Sequence, residues 1–238
     1  ADAVVSLCKL KTHGMVTFTG AVKNLFGCIP GLTKAEYHFR YPNKEDFCQM
    51  LVDLCETVKP TLSIMDGIWA MEGDGPSGGI PRHMGVLLVS QHPHACDLAA
   101  TSLIGLEPKD VLTLDHGVRQ GLCPAKAEEL TWLGEDPAPY RVSDFKMPRS
   151  QVITFIGNLP QWLRKPLFQA LTPRPVVNRK KCIGCGHCAR SCPAHTIEVS
   201  QGKAHIDPSK CIKCYCCHEL CPVQAIDIKE SFFHKISR

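Results

Sequence analysis

Cys182-Ile-Gly-Cys185-Gly-His-Cys188-Ala-Arg-Ser-Cys192-Pro193 spells C-x2-C-x2-C-x3-C-P. The pattern returns as Cys211-Ile-Lys-Cys214-Tyr-Cys-Cys217-His-Glu-Leu-Cys221-Pro222. Two-residue gaps let three thiolates wrap one face of an iron–sulfur cube, with backbone amides turned toward its sulfurs. The fourth cysteine of each run is too far round to close the same cube. Pro193 and Pro222 follow it and turn the chain. Zinc sites take four ligands in two pairs, not two runs of four with a proline after each, and a disulfide framework has no use for this spacing.

The flanks repeat as well. Residues 182–199 and 211–228 align without a gap, CIGCGHCARSCPAHTIEV over CIKCYCCHELCPVQAIDI, so the segment is an internal duplication. Thr196-Ile-Glu-Val199 and Ala204-His-Ile-Asp207 alternate like short strands around the turn residues Gln201-Gly202. Ala225–Ile228 reads as the closing strand and Val176-Val177 as the opening one. On these residues the segment resembles the two-cluster bacterial ferredoxins. The resemblance implies two [4Fe-4S] clusters with exchanged ligands: Cys182, Cys185, Cys188 and Cys221 on one, Cys211, Cys214, Cys217 and Cys192 on the other. Cys216 stands beside a ligand where the first repeat has His187, and is either a bystander thiol or an alternative ligand. Tyr215 replaces Gly186 and is placed to cover the second cluster.

The 238 residues suit one domain with a small appendage, or two domains. A net charge of +4 without a long basic stripe excludes nucleic acid as a main partner. Eight of the fifteen cysteines belong to the two runs; Cys8, Cys28, Cys48, Cys55, Cys96, Cys123 and Cys216 are scattered. Free thiols and oxygen-labile clusters imply a reducing compartment, hence the cytoplasm, in an anaerobe. No apolar stretch has the length to span a membrane, and no signal peptide is seen. The chain opens at Ala1 on a segment that already reads as a buried strand, which suggests that an upstream part is missing.

In the front part, residues 2–8 read as a strand that runs into Lys9, Lys11 and His13. Basic groups past a strand's carboxyl end are where α/β sheets place ligands, so this is either an anion site or a solvated loop. Apolar residues at 18, 21, 22, 25 and 26 suggest a helix that carries Lys23 and Asn24 near its end. Phe47, Met50, Leu51, Leu54, Cys55 and Val58 follow helical spacing, with Asn43 as N-cap and Pro60 as stop. Thr61–Met65 is a strand with Asp66-Gly67 at its end. The Gly73–Gly79 stretch contains G-x-G-x-x-G but opens no helix after a strand, so it is a loop whose amides could cradle an anion, not a dinucleotide fingerprint. A further strand, Val86–Val89, and two helices, 95–104 and from Pro108 to Gly121, follow. His83, His92 and His94 are either a metal set or loop bystanders. Pro160–Phe168 is a short amphipathic piece that would touch a membrane, a partner or the space between domains.

The pieces Lys9-Leu-Lys11-Thr12-His13, Ala21–Gly31, Asp66-Gly67, Met71-Glu72-Gly73-Asp-Gly75-Pro76 and Cys96-Asp97-Leu-Ala resemble the family called domain of unknown function 362, often fused to a C-terminal two-cluster ferredoxin. The expected organisation is an α/β layered domain over 1–150, a proline-rich linker over 151–175 and a small α+β ferredoxin-like domain over 176–238. Three functional classes follow. The first is a redox enzyme that passes single electrons to or from an anionic small molecule or cofactor, held by Lys9, Lys11, His13, Lys23, Asn24, Asp66, Glu72, Gly73, Gly75 and Asp97. The second is a non-catalytic carrier or assembly factor that docks a client protein. The third is a small domain merely stapled by clusters, which two clusters exceed. The first two imply a redox partner protein. No flavin, nicotinamide or molybdenum signature is seen.

Overall fold

The computed structural model describes residues 1–30, 33–41, 43–148 and 173–229. The chain divides into two compact units: Ala1–Gly31 with Asn43–Arg149, and Leu32–Pro42 with Ser150–Arg238. Pro160–Phe168 and most of the expected linker lie outside the described residues.

The first unit is built on a mixed four-stranded sheet in the order β2-β1-β3-β4, where β1 is Val5–His13, β2 Thr17–Thr19, β3 Leu62–Glu72 and β4 Ile80–Ser90. Only β1 and β3 are parallel; β2 and β4 flank them antiparallel. The first strand is longer than residues 2–8. Ser6, Cys8, Leu10 and Thr12 alternate inward without a break, so the strand continues through Lys9, Lys11 and His13 instead of releasing them into a loop. The single helix expected from the apolar spacing of residues 18–26 is a correction too. Thr17, Phe18 and Thr19 pair with β1, and a helix, α1 (Ala21–Asn24), begins only after Gly20, followed by a 3-10 turn over Leu25–Cys28. β-branched and aromatic residues beside an open strand edge win over the helical spacing.

The remaining helices of this unit are α3 (Lys44–Val58), α4 (Pro93–Leu103) and α5 (Leu112–Arg119); α2 (Thr33–Arg40) belongs to the second unit. Asn43 caps α3, its side-chain oxygen accepting from Glu45 N at 3.2 Å, and Lys59 ends it in the left-handed region at φ 46°. One face of the sheet packs on helices: Leu10, Phe18 and Met65 lie in a core with Leu98, Leu103 and Leu114. Each such side chain contributes roughly 1.5–3 kcal/mol by leaving water. The other face is open. Leu7, Ile64 and Val89 stand in register across β1, β3 and β4, with Leu7 70% and Val89 56% exposed.

Strand β3 is also longer than expected and carries Asp66-Gly67 in its interior. Its register with β1 shifts between Lys9 and Lys11, and its register with β4 shifts between Gly67 and Trp69, so β3 bulges there. The Gly73–Gly79 loop joins β3 to β4 and folds over the end of β1. Gly14 N donates to Gly75 O at 3.0 Å, and a Cβ on Gly75 would stand 2.0 Å from Thr12 O.

The second unit repeats itself as the sequence does. Strands β6 (Ile197–Ser200) and β7 (Lys203–Ile206) form a hairpin around Gln201-Gly202, while β5 (Arg174–Val177) pairs antiparallel with β8 (Ile226–Lys229). Each cysteine run enters a four-residue helix, His187–Arg190 or Cys216–Glu219.

Gly20 is the tightest joint of the first unit. A Cβ there would meet Asp97 Oδ1 at 2.2 Å, Phe18 at 2.6 Å and Met65 at 2.7 Å. Gly20→Ala should therefore destabilise the first unit by about 1–3 kcal/mol or more, read by denaturant unfolding. A variant as stable as the parent would show that the joint gives way freely.

Candidate functional site

In the second unit the two cysteine runs interlock. One cavity is lined by Cys182, Cys185 and Cys188 together with Cys221, and the other by Cys211, Cys214 and Cys217 together with Cys192. The first cavity thus takes three thiols from its own run and Cys221 from the other, and the second takes Cys192 from the other run beside the thiols of its own. The donor chemistry fits an iron–sulfur cluster in each. Backbone amides point at the sulfurs: Ala204 N to Cys182 at 3.4 Å, Thr196 N to Cys192 at 3.4 Å and Ala225 N to Cys221 at 3.2 Å. The amide of Ala204 holds the Cys182 thiol below its ordinary range, toward the thiolate that ligates iron. Positive backbone angles let the loops wrap the cavities; at Gly184 a Cβ would stand 2.4 Å from Gly202 O. Cys216 also lines the second cavity.

The other thiols have different surroundings. Burial pushes Cys8, Cys48 and Cys55 up to about 12 and Cys123 up to about 11, and it raises Cys96. They stay protonated at neutral pH and serve as small core residues. The histidines 83, 92 and 94 do not form one set. His83 stacks edge-on against Trp69 at 4.9 Å, whereas His94 is buried with Nε2 3.3 Å from Glu56 Oε1. The ligand atoms of Cys55, Glu56 and His94 lie within 4.8 Å of one another; burial lowers the His94 pKa and raises that of Cys55.

The polar residues singled out in the first unit divide into two kinds. Lys9, Lys11, Asn24 and Asp66 line one concavity of about 360 Å³, completed by Leu7, Cys8, Thr19 and Gly20. The β3 bulge makes this possible. Lys9 Nζ donates to Asp66 Oδ2 at 2.5 Å and to Trp69 O at 2.8 Å across it, and Asp66 Oδ1 accepts from Ile68 N at 2.9 Å. The Lys9 contact holds Asp66 below the usual carboxylate range. Asn24 Nδ2 ties α1 to β1 through Ser6 Oγ at 3.0 Å and Leu7 O at 3.2 Å. Lys11 Nζ lies 3.5 Å from Pro76 O, so β1 and the glycine loop do meet.

The other six residues do not line it. His13 is buried and its Nδ1 accepts from Met15 N at 3.0 Å. Lys23 lies 5.9 Å from the centre of the Phe26 ring. Glu72 is buried where it accepts from Lys146 N at 3.2 Å, with Arg82 3.8 Å away. The amides of Gly73 and Gly75 already donate to Lys146 O and Gly73 O, so neither is left for an anion. Asp97 lies beneath Gly20 and accepts from Ala21 N at 2.5 Å and Val22 N at 3.1 Å. Sequence reasoning missed Thr19 and Gly20; the strand pairing of Lys11 with Thr19 brings them to the rim, a signal hidden by the helical spacing of residues 18–26.

Burial pushes the Asp97 carboxyl up to about 7, against the downward pull of its two amide donors. A carboxyl whose native pKa stands above its unfolded value of about 3.9 binds more protons when folded, so its contribution is present at low pH and lost as pH rises toward 7. The stability of the wild type relative to Asp97→Asn should therefore fall by on the order of 2–4 kcal/mol between about pH 4 and pH 7, and level off above. Urea titrations across that range check it; a difference that rises with pH would mean that Asp97 is held ionised.

Residues 1–102 match the domain of unknown function DUF362, and residues 174–222 match the 4Fe-4S dicluster domain. A thylakoid-associated protein of Synechocystis sp. (strain ATCC 27184 / PCC 6803 / Kazusa) is 41% identical over 165 residues, which is 69% of this chain and 51% of that protein. The chain spans about half the length of this curated relative. Among the described residues no helix is long and apolar enough to cross a membrane. The chain is a DUF362 domain joined to a C-terminal 4Fe-4S dicluster domain, with two [4Fe-4S] clusters as its cofactors.

Proposed function

We propose that the protein is an electron-transfer protein in which Cys182, Cys185, Cys188 and Cys221 hold one cluster, and Cys211, Cys214, Cys217 and Cys192 the other. The clusters supply single-electron chemistry. The protein's own groups set the conditions for it: backbone amides of Ala204, Thr196 and Ala225 stabilise thiolate sulfur, and the apolar lining from Ile197, Ile206 and Ile226 limits water. The interlocked lining of the two cavities carries this reading. Electrons go to or from a small anionic molecule or cofactor bound at the concavity of Lys9, Lys11, Asn24 and Asp66, where two ammonium groups face one carboxylate. Lys9 is held by Asp66, which fixes its position; Lys11 meets the anion. A redox partner protein exchanges electrons with the clusters. Fifteen cysteines without a disulfide among the described residues suit a reducing compartment such as the cytoplasm.

A second reading has the first unit dock a client protein that the clusters reduce. The aliphatic row Leu7, Ile64 and Val89, exposed at Leu7 and Val89 and half-buried at Ile64, favours it, since exposed apolar surface marks interaction sites. Mass spectrometry of anaerobically purified protein separates the two. A bound organic anion lost in Lys11→Ala, with iron unchanged, supports the first; an empty concavity with a co-purified protein supports the second.

Anaerobic reconstitution should give about eight iron atoms per chain, four cysteines serving each four-iron cluster. Cys192→Ala should lower iron toward about four and perturb the signal that depends on Cys211, Cys214 and Cys217, leaving the other. If Cys192→Ala removes the cluster of Cys182, Cys185 and Cys188 instead, each run holds its own cube and the crossed assignment fails.

A further inference from the structure

The duplicated cysteine runs are alike in spacing and unlike at the surface. In the first, Cys185 is exposed and Gly186 follows it at φ 75° with no side chain. In the second the matching residue is Tyr215, which takes the same left-handed backbone at φ 63° although its side chain makes that conformation costly. Tyr215 is only 6% exposed, lines the cavity of Cys211, Cys214, Cys217 and Cys192, and donates its hydroxyl to Pro173 O at 2.8 Å. A strained, buried and tethered ring thus closes the second cavity at the point where the first is bare.

Charge is unequal too. From residue 178 to residue 197 the chain has no acidic side chain. Arg179, Lys180 and Lys181 are exposed in a turn that leads into Cys182, and Arg190 donates to Cys185 O at 3.3 Å, which sets a guanidinium beside the exposed cysteine. Ile183, 63% exposed, stands on the same rim. Around the second run acids stand among the bases: Lys210 is 4.0 Å from Asp207, and Glu219 lies close enough to act on Cys214, while Lys213 has Arg174 near it.

We infer that electrons pass between the protein and its redox partner on the Cys185 side, through a basic docking surface made by Arg179, Lys180, Lys181 and Arg190 around Ile183, whose partner is a redox protein with an acidic face, while Tyr215 insulates the second cluster from solvent. This rests on the reading that the crossed cysteines hold two clusters. A ring of one sign with an apolar centre steers an oppositely charged partner and sets its on-rate. Insulation on the other side leaves one port for exchange with the partner, and leaves the second cluster to exchange electrons with the first.

Two measurements on the full-length holoprotein test it, each preceded by iron analysis, so that a failure of the cluster assignment shows as lost iron before any rate is read. In the first, the reduced protein is mixed anaerobically with hexacyanoferrate(III), which takes one electron, becomes hexacyanoferrate(II), and moves no proton. The rate should fall with added salt. The triple charge reversal Arg179→Glu, Lys180→Glu and Lys181→Glu should slow it about tenfold at low salt, whereas Lys210→Glu with Lys213→Glu should change it by less than about twofold. A larger effect at 210 and 213, or a rate indifferent to salt, overturns the port. In the second, iron release to a chelator should run in two halves in the wild type. Tyr215→Gly, which relieves the left-handed strain, should speed the slow half until the two merge; Tyr215→Phe, which lacks only the hydroxyl, should lie between. A single phase in the wild type, or a slow half untouched by Tyr215→Gly, overturns the insulation.

Discussion

Each of the two cysteine cavities is lined by thiols of both runs. Cys192 stands with Cys211, Cys214 and Cys217, and Cys221 stands with Cys182, Cys185 and Cys188. The second unit therefore depends on the two halves of its repeat being present and docked at once. Its strands follow the same logic: β5 pairs with β8 across the whole unit, while β6 and β7 close locally. A domain this small buries little apolar surface, and ligand bonds of the clusters would add the folding energy that its core lacks.

The first unit rests on a different device, a carboxyl group placed inside the core. Asp97 reaches from α4 to the two amides that open α1, and Gly20 has no side chain because that carboxyl group occupies the space. Glu72 does similar work at the far end of β3, where it gathers the backbone of Lys146 and the side chain of Arg82. Buried acids look like catalytic groups in a sequence. Here both are answered by backbone donors, which is what an acid needs in order to be a structural brace.

The cysteine spacing was legible because iron–sulfur geometry leaves few alternatives, and the strand pairs around it followed from the duplication. The long helix at residues 44–58 was legible from its stripe and its Asn43 cap. The first strand was cut short because charged residues at 9 and 11 look like a loop; on a sheet with one open face they are simply its outward positions. Phe18, Ala21, Val22, Leu25 and Phe26 fit a 3.6 period and so predict one helix, while the partner that pulls Thr17–Thr19 into the sheet lies on another strand. The concavity escaped for the same reason. It depends on a bulge at Asp66–Trp69, and a bulge is a mismatch between strands that no single strand announces. Lys9, Lys11, Asn24 and Asp66 were recognisable as polar groups worth placing, but not as neighbours.

The open row of Leu7, Ile64 and Val89 changes how the purified protein should be judged. Dyes that fluoresce on exposed apolar surface are commonly taken to report partial unfolding or a molten state. A native sheet face built of aliphatic rows offers such dyes a binding surface while every strand beneath it is intact. For this chain dye fluorescence is therefore expected of the folded state, and quality is better followed by the signals of the buried core, in which Phe18, Phe47 and Leu114 are packed away from solvent.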